Sequence, residues 1–266
     1  MSTPTAEAFT AELLALRSDA EREKYQRYFP GATDFAGVRM GQVFALAKAH
    51  LLMSPGEIEK LMESDIHEVR AGAMSIMAKQ YALKKTTPER RQELYDLYLR
   101  RHDRINEWDL VDLAAWHVVG PHLVDRPRDP IYTLAASPNR WERRTAILAT
   151  FSFISRGQLD DSYALAERLI DDPEDTIHKA LGWMLRVADK DRPRLTAFLE
   201  RHAATMPRIM LRNAIEHFPP EERKRLLALG RRLSPPPSPP PSPSTALSST
   251  SSTDCAAWRG STSRTK

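Results

Sequence analysis

The chain has 266 residues, with 39 Lys and Arg against 35 Asp and Glu. Its one cysteine, Cys255, sits near the C-terminus, which excludes structural disulfides, thiolate metal clusters and a cysteine nucleophile from everything before it. No apolar run approaches the ~18–20 residues that span a bilayer, and the N-terminus lacks a basic segment followed by an apolar one. A soluble protein of a reducing compartment is expected, cytoplasmic and nucleoid-associated if bacterial.

Gly is scarce, at 10 residues, and β-branched alternation is nearly absent, whereas helical periodicity recurs throughout. Ala8, Leu13, Leu14 and Leu16 open a first predicted helix. Tyr28–Gly37 reads as the one irregular connection in the body. Val43, Phe44, Leu46, Ala47, Leu51 and Leu52 then mark an apolar face at i, i+3, i+4 spacing. Ser54-Pro55-Gly56-Glu57 places a cap, a first-turn proline and an acidic residue three after the cap, and Thr87-Pro88-Glu89-Arg90 repeats the device. Ser137-Pro138, Asp172-Pro173 and Met206-Pro207 punctuate later helices. The pattern predicts about ten to twelve helices of about 10–16 residues joined by short loops. From Ser234 the text turns to Ser, Pro and Thr, beginning SPPPSPPPSPS. Such a segment buries no core. The expected organisation is one domain over 1–233 and a disordered tail over 234–266. The tail takes three basic residues and one acidic residue with it, so the body carries 36 basic and 34 acidic. Global charge therefore does not argue for a nucleic-acid partner; only the placement of charges does.

Five segments share local text: Glu68-Val69-Arg70-Ala71-Gly72-Ala73, Leu110-Val111-Asp112-Leu113-Ala114, Glu142-Arg143-Arg144-Thr145-Ala146, Ile177-His178-Lys179-Ala180-Leu181 and Met210-Leu211-Arg212-Asn213-Ala214. Aligned on the central polar residue they read Arg70, Asp112, Arg144, Lys179, Arg212, at spacings of 42, 32, 35 and 33. A period in that range points to stacked helix pairs. The predicted fold is all-α, an α-solenoid of HEAT-like antiparallel pairs with a concave basic face. Four cations and one carboxylate at equivalent positions suggest a polyanion cradle with an acidic group held inside it. A protein-binding solenoid would show the same period, because valine and alanine pack each pair while the arginine covers its edge. Asp112 could equally form an ordinary ion pair with Arg144 or Arg143.

Trp108 lies four residues before Asp112, Trp141 three before Arg144 and Trp183 four after Lys179, so each tryptophan shares a helix face with its polar neighbour. Trp116, four residues beyond Asp112, competes for that face, and periodicity leaves open which of the two is buried. The histidines form no ligand set, since His117 and His122 are five apart without a companion acid cluster. No Gly-rich phosphate loop occurs, and neither a metal nor a cofactor is expected.

The strings Asn106-Glu107-Trp108-Asp109-Leu110-Val111-Asp112, Trp141-Glu142-Arg143-Arg144-Thr145-Ala146-Ile147 and Lys179-Ala180-Leu181-Gly182-Trp183-Met184-Leu185-Arg186, with Phe35-Ala36-Gly37-Val38-Arg39-Met40 before them, resemble the DNA alkylation repair (AlkD-type) family. The likeness runs from about Tyr25 to Phe218. It implies a HEAT-like DNA glycosylase of base-excision repair. Such an enzyme hydrolyses the N-glycosidic bond of cationic N3- or N7-alkylated purines in duplex DNA, without flipping the lesion into a pocket. By this resemblance Asp112 is the catalytic aspartate, Trp108 and Trp183 flank the lesion, and Arg144 holds phosphate. Lys179, Arg39, Arg70, Arg143 and Arg212 are further DNA-binding candidates, and an N-terminal aromatic contact matches either Tyr25 or Tyr28. The expected partner is double-stranded DNA bearing alkylated bases, met by a monomer. The chain departs from the family at Glu107, where a second aromatic often stands, and in the longer segment ahead of Gly37.

That chemistry suits the residues. Alkylation makes the purine a good leaving group, so the barrier lies in positive charge developing on the deoxyribose. A carboxylate aimed at the sugar stabilises that charge and orients the attacking water. Tryptophan faces attract the cationic base by ~0.5–2 kcal/mol each. Arg144 and Lys179 would fix the register of the backbone and help to keep the aspartate ionised. Two other readings remain: a catalytically inactive DNA-binding protein of the same fold, and a protein-interaction solenoid for acidic peptides.

Overall fold

The computed structural model describes residues 4–29 and 34–229. The Pro/Ser/Thr-rich tail and part of the segment ahead of Gly37 lie outside the described residues. What is described is all-α, with one isolated bridge between Asp34 and Ile66 and no strand.

The chain runs through α1 (Ala6–Leu14), α2 (Asp19–Tyr28), α3 (Met40–Ala49), α4 (Pro55–Met62), α5 (His67–Ala82), α6 (Pro88–Arg100), α7 (Trp108–Ala114), α8 (Gly120–Leu123), α9 (Asp129–Ala135), α10 (Arg140–Ile154), α11 (Asp160–Arg168), α12 (Asp175–Val187), α13 (Arg192–His202), α14 (Arg208–Ala214) and α15 (Pro220–Leu229). Helices α3, α5, α7, α10, α12 and α14 pack successively on one another as one row. The helices between them, α4, α6, α9 and α11 among them, pack against it. This is the helical-repeat arrangement that the period predicts. Each repeat residue falls in the same place: Arg70 early in α5, Asp112 in α7, Arg144 in α10, Lys179 in α12 and Arg212 in α14.

The caps form as their residues dictate. Ser54 accepts from the Glu57 N–H, and Thr87 from the Arg90 N–H, each ahead of a first-turn proline. One continuous core runs along the stack, from Phe9 and Leu13 through Val69, Met74 and Ile76 to Ile147, Leu181 and Leu211.

Helices are shorter than the pattern predicts: α7, α9 and α14 have 7 residues and α8 has 4. Two apolar expectations also shift. α1 ends at Leu14 and α3 at Ala49, so Leu16 and Leu52 fall beyond the helices and stand exposed. Apolar spacing counts residues but does not see where the chain leaves the helix.

Between α7 and α8 the chain widens into a π-helical turn, Ala115–Val119. The Gly120 N–H reaches back to the Ala115 carbonyl, five residues earlier. Pro121 follows and carries no N–H, which denies the preceding turn a regular bond. Gly120 permits α8 to close on α10; a Cβ there would meet the Ala149 carbonyl at 2.4 Å and Ser152 Oγ at 2.6 Å.

Candidate DNA-facing site

Asp112 and Arg144 form the centre. Arg144 Nε donates to Asp112 Oδ1 at 2.8 Å and Nη2 to Oδ2 at 2.9 Å, a bidentate pair. Arg144 Nη1 reaches across to α12, to the Thr176 carbonyl at 2.7 Å and its hydroxyl at 3.2 Å. One guanidinium thus ties α10 to α7 and to the first turn of α12. The pair is partly wet: the Asp112 side chain is 19% exposed and that of Arg144 7%. Of the two ion-pair partners open from the sequence, Arg144 is the one. Arg143 turns away and closes on Asp172, with Nε to Oδ2 at 2.6 Å, while its Nη1 donates to the Ser137 and Pro138 carbonyls. Behind the site, buried Thr145 accepts or shares hydrogen bonds with Tyr98 Oη and His102 Nε2, both at 2.9 Å. Burial pushes the Tyr98 hydroxyl pKa up, and the charge of Asp112 adds to that.

Two aromatic groups lie on the helices that carry the pair and its neighbours, one around Trp108 and one around Trp183. Trp108, one turn before Asp112, stacks on Phe29 with centroids 5.8 Å apart and planes at 14°. Phe29 leans on Phe35 and on His67. Tyr28 is exposed and meets the Trp108 ring edge-on at 6.3 Å. Tyr25 instead tilts against Phe35 and donates to the Val38 carbonyl at 3.4 Å. Of the two tyrosines, then, Tyr28 is the one packed against Trp108. In the second group, half-buried Trp183 of α12 meets Trp116 of the π turn edge-on, at 5.3 Å and 68°. The question of Trp108 against Trp116 has a different answer from either alternative: both are half-buried, each with its own aromatic partner.

The loop carrying Phe35 to Arg39 is held by a buried carboxylate. Glu68 accepts from the N–H groups of Ala36, Gly37 and Val38 at 2.8–3.1 Å. Gly37 sits at φ +78°, and a Cβ there would lie 2.1 Å from the Ser18 carbonyl, so only glycine fits. His67 beside it pairs with Asp109 at 2.6 Å, both side chains fully buried. The Phe-x-Gly-Val-Arg string and the acid after Trp108 are therefore parts of one clamp that fixes α2 and Trp108.

The basic candidates divide in two. Lys179, Arg212 and Arg39 are exposed, Arg39 with a contact to Glu21 at 3.2 Å. Arg70, Arg143 and Arg144 are buried and engaged: Arg70 donates to the Ser64 carbonyl at 2.9 Å and to Asn106 Oδ1 at 3.3 Å. All six are DNA-binding candidates by their sequence pattern, and in the fold the last three also tie the repeat helices together. Glu107, the departure from the family pattern, is half-buried. Burial raises its carboxyl pKa above the ordinary 4.5, with Asp109 adding to the rise and His67 and Arg140 opposing it. Spacing revealed neither the Glu68 clamp nor the role of Thr176. The signal for the π turn was Pro121, standing inside a helical run. Among the described residues no three His, Cys, Asp or Glu side chains cluster to hold a metal. No helix among them is long and apolar enough to cross a membrane.

These features define a helical-repeat protein with an ion-paired carboxylate on a row helix that also carries Trp108, and a second aromatic pair, Trp116 and Trp183, on the helices beyond it. Residues 9–218 match the family of DNA alkylation repair enzymes, and the chain belongs to that family. Its role lies in DNA alkylation repair, with DNA as the substrate class. The fold is shared with a protein described as a predicted DNA alkylation repair enzyme from Enterococcus faecalis. The TM-score is 0.62 over 77% of this chain and 97% of that one, at 18% identity. No curated protein matches the chain.

Proposed function

We propose that the protein is a monofunctional DNA glycosylase that hydrolyses the N-glycosidic bond of cationic N3- or N7-alkylated purines in duplex DNA, within the domain 1–233. The observation that carries this reading is the Asp112 carboxylate, partly open to solvent and bordered by Trp108 on its own helix. Such a carboxylate can stabilise the deoxyribose as it gains positive charge and orient the attacking water. The C1′–N bond breaks, its electrons neutralise the alkylated base, and water adds to C1′ and gives up a proton.

Arg144 makes four hydrogen bonds in the fold. A guanidinium has about five N–H donors, so one remains for a backbone phosphate. Lys179 and Arg212, exposed on the next two row helices, supply further phosphate contacts. Trp108, with Tyr28 against its edge, and Trp183 offer ring faces to an electron-poor base without a deep pocket.

The bidentate pair also supports a second reading, in which Asp112 serves the fold alone and the protein binds DNA without catalysis. Base release from a duplex oligonucleotide carrying one 7-methylguanine separates the two. The native chain releases the base, and Asp112→Asn slows release about ten-fold or more, ~1.4 kcal/mol of barrier. Salt-dependent duplex binding without release in either protein sinks the glycosylase and leaves the binder. Absence of duplex binding at moderate salt leaves a protein-interaction solenoid.

A further inference from the structure

The π turn after Asp112 has a consequence for Trp116. In the π register a carbonyl accepts from the N–H five residues on, as Ala115 does from Gly120. For Trp116 that position is Pro121, which has no N–H to give. Ser152 of α10 supplies the missing donor: its Oγ lies 3.0 Å from the Trp116 carbonyl. The absence of a side chain at Gly120 lets α10 come close enough for that contact. The Trp116 backbone is thus pinned from a neighbouring helix rather than by its own. Its ring is pinned as well, edge-on to Phe151 at 4.6 Å and 72°, and presents a second contact to Trp183 at 5.3 Å and 68°. The Trp116 indole N–H is buried without an acceptor among the described residues. A buried donor left unsatisfied costs stability.

We infer that Trp116 is a positioning residue: through its edge-on contact it fixes the plane of the Trp183 indole toward the alkylated base, with Ser152 and Pro121 setting the turn that aims it. The inference rests on the glycosylase reading for its catalytic consequence but not for the geometry itself. Residue 116 re-aims a ring that touches substrate and does not touch the reacting atoms. Its removal therefore affects the rate at saturating enzyme rather than duplex affinity.

Two indoles this close couple their ultraviolet transitions and give a paired positive and negative circular-dichroism band. The test uses the full chain and the variants Trp116→Leu, Trp116→Phe, Trp183→Phe and Ser152→Ala. Expected is loss of the band in Trp116→Leu and in Trp183→Phe, and its weakening in Ser152→Ala. Single-turnover release of 7-methylguanine should fall about ten-fold in Trp116→Leu, with duplex affinity unchanged and Trp116→Phe keeping most of the rate. The inference is overturned if the band survives in Trp116→Leu. It is equally overturned if that variant, folded as judged by its melting temperature, releases base at the native rate. If the native chain releases no base, the proposed function falls and the band in Ser152→Ala decides the geometry: weakening supports a turn that aims the pair, and an unchanged band overturns the inference.

Discussion

The Asp112–Arg144 pair permits a worked prediction. Arg144→Ala removes two charge-assisted bonds to Asp112, at 2.8 and 2.9 Å, and two to Thr176. Breaking a fully buried pair costs about 3–5 kcal/mol, because one charge is left without compensation. Asp112 keeps 19% of its side-chain surface in water, so hydration recovers part of that loss. The expected destabilisation is about 2–3 kcal/mol for Arg144→Ala. Asp112→Ala strands a guanidinium that still holds Thr176, and its expected cost is about 2 kcal/mol. Each single variant loses the same pair, so the double variant should be less destabilised than the sum, by a coupling of about 1–2 kcal/mol. Urea unfolding of the four proteins, with the slope m constant, measures it. A coupling below about 0.5 kcal/mol would mean that the two side chains are energetically independent. The placement of Arg144 as the holder of Asp112 would then be wrong.

Three further outcomes follow from groups around the site. Glu107 has a raised pKa when folded, a stabilising effect fully present below the ordinary 4.5 and lost as pH rises through the raised value; Glu107→Gln should therefore increase the melting temperature near pH 7 and leave it unchanged near pH 3, and equal effects at both would refute the assignment. His122, stacked on Tyr95 at 4.0 Å, is depressed from 6.5 to about 4 by burial first and Arg126 second. A depressed folded pKa stabilises above 6.5 and is lost as pH falls toward 4. His122→Phe should flatten that part of the melting-temperature profile, with His102 and His117, also depressed by burial, keeping a remainder. Gly37→Ala drives a Cβ against the Ser18 carbonyl at 2.1 Å and the Arg22 amide at 2.6 Å; it should loosen α2, which buries no residue of its own, and amide exchange over 19–28 at the native rate would contradict the clamp.

The helical stack was legible because it rests on local physics. Capping serine and threonine ahead of a proline, apolar residues at helical spacing and a repeated packing segment each declare themselves within a few residues. The row position of Arg70, Asp112, Arg144, Lys179 and Arg212 followed from the period alone. The long-range partnerships were not legible. Glu68 holds N–H groups about thirty residues earlier in the chain. His67 and Asp109 are separated by 42 residues, and Arg144 and Thr176 by 32. Nothing in the spacing of an arginine says whether its guanidinium meets a phosphate or a carbonyl, and Arg70 and Arg143 meet carbonyls. The period placed their Cα atoms and left their charges undecided.

That division bears on how the repeat supports the site. A helical repeat must satisfy the carbonyl ends of its short helices, and buried arginines do so at Ser64, Ser137 and Pro138. Arg144 instead ties α10 to the first turn of α12 while holding Asp112, the one carboxylate among the five repeat positions. The site is therefore a modification of an element that the stack already requires. Replacing a row cation by aspartate at position 112 gives the next repeat's arginine a partner. It also places a charged, partly hydrated group beside Trp108, where only half-buried aromatic surface would otherwise stand. On this argument a carboxylate at row position 70 or 179 would not substitute for Asp112, because neither is bordered both by the Phe29–Trp108 stack and by the arginine that reaches α12.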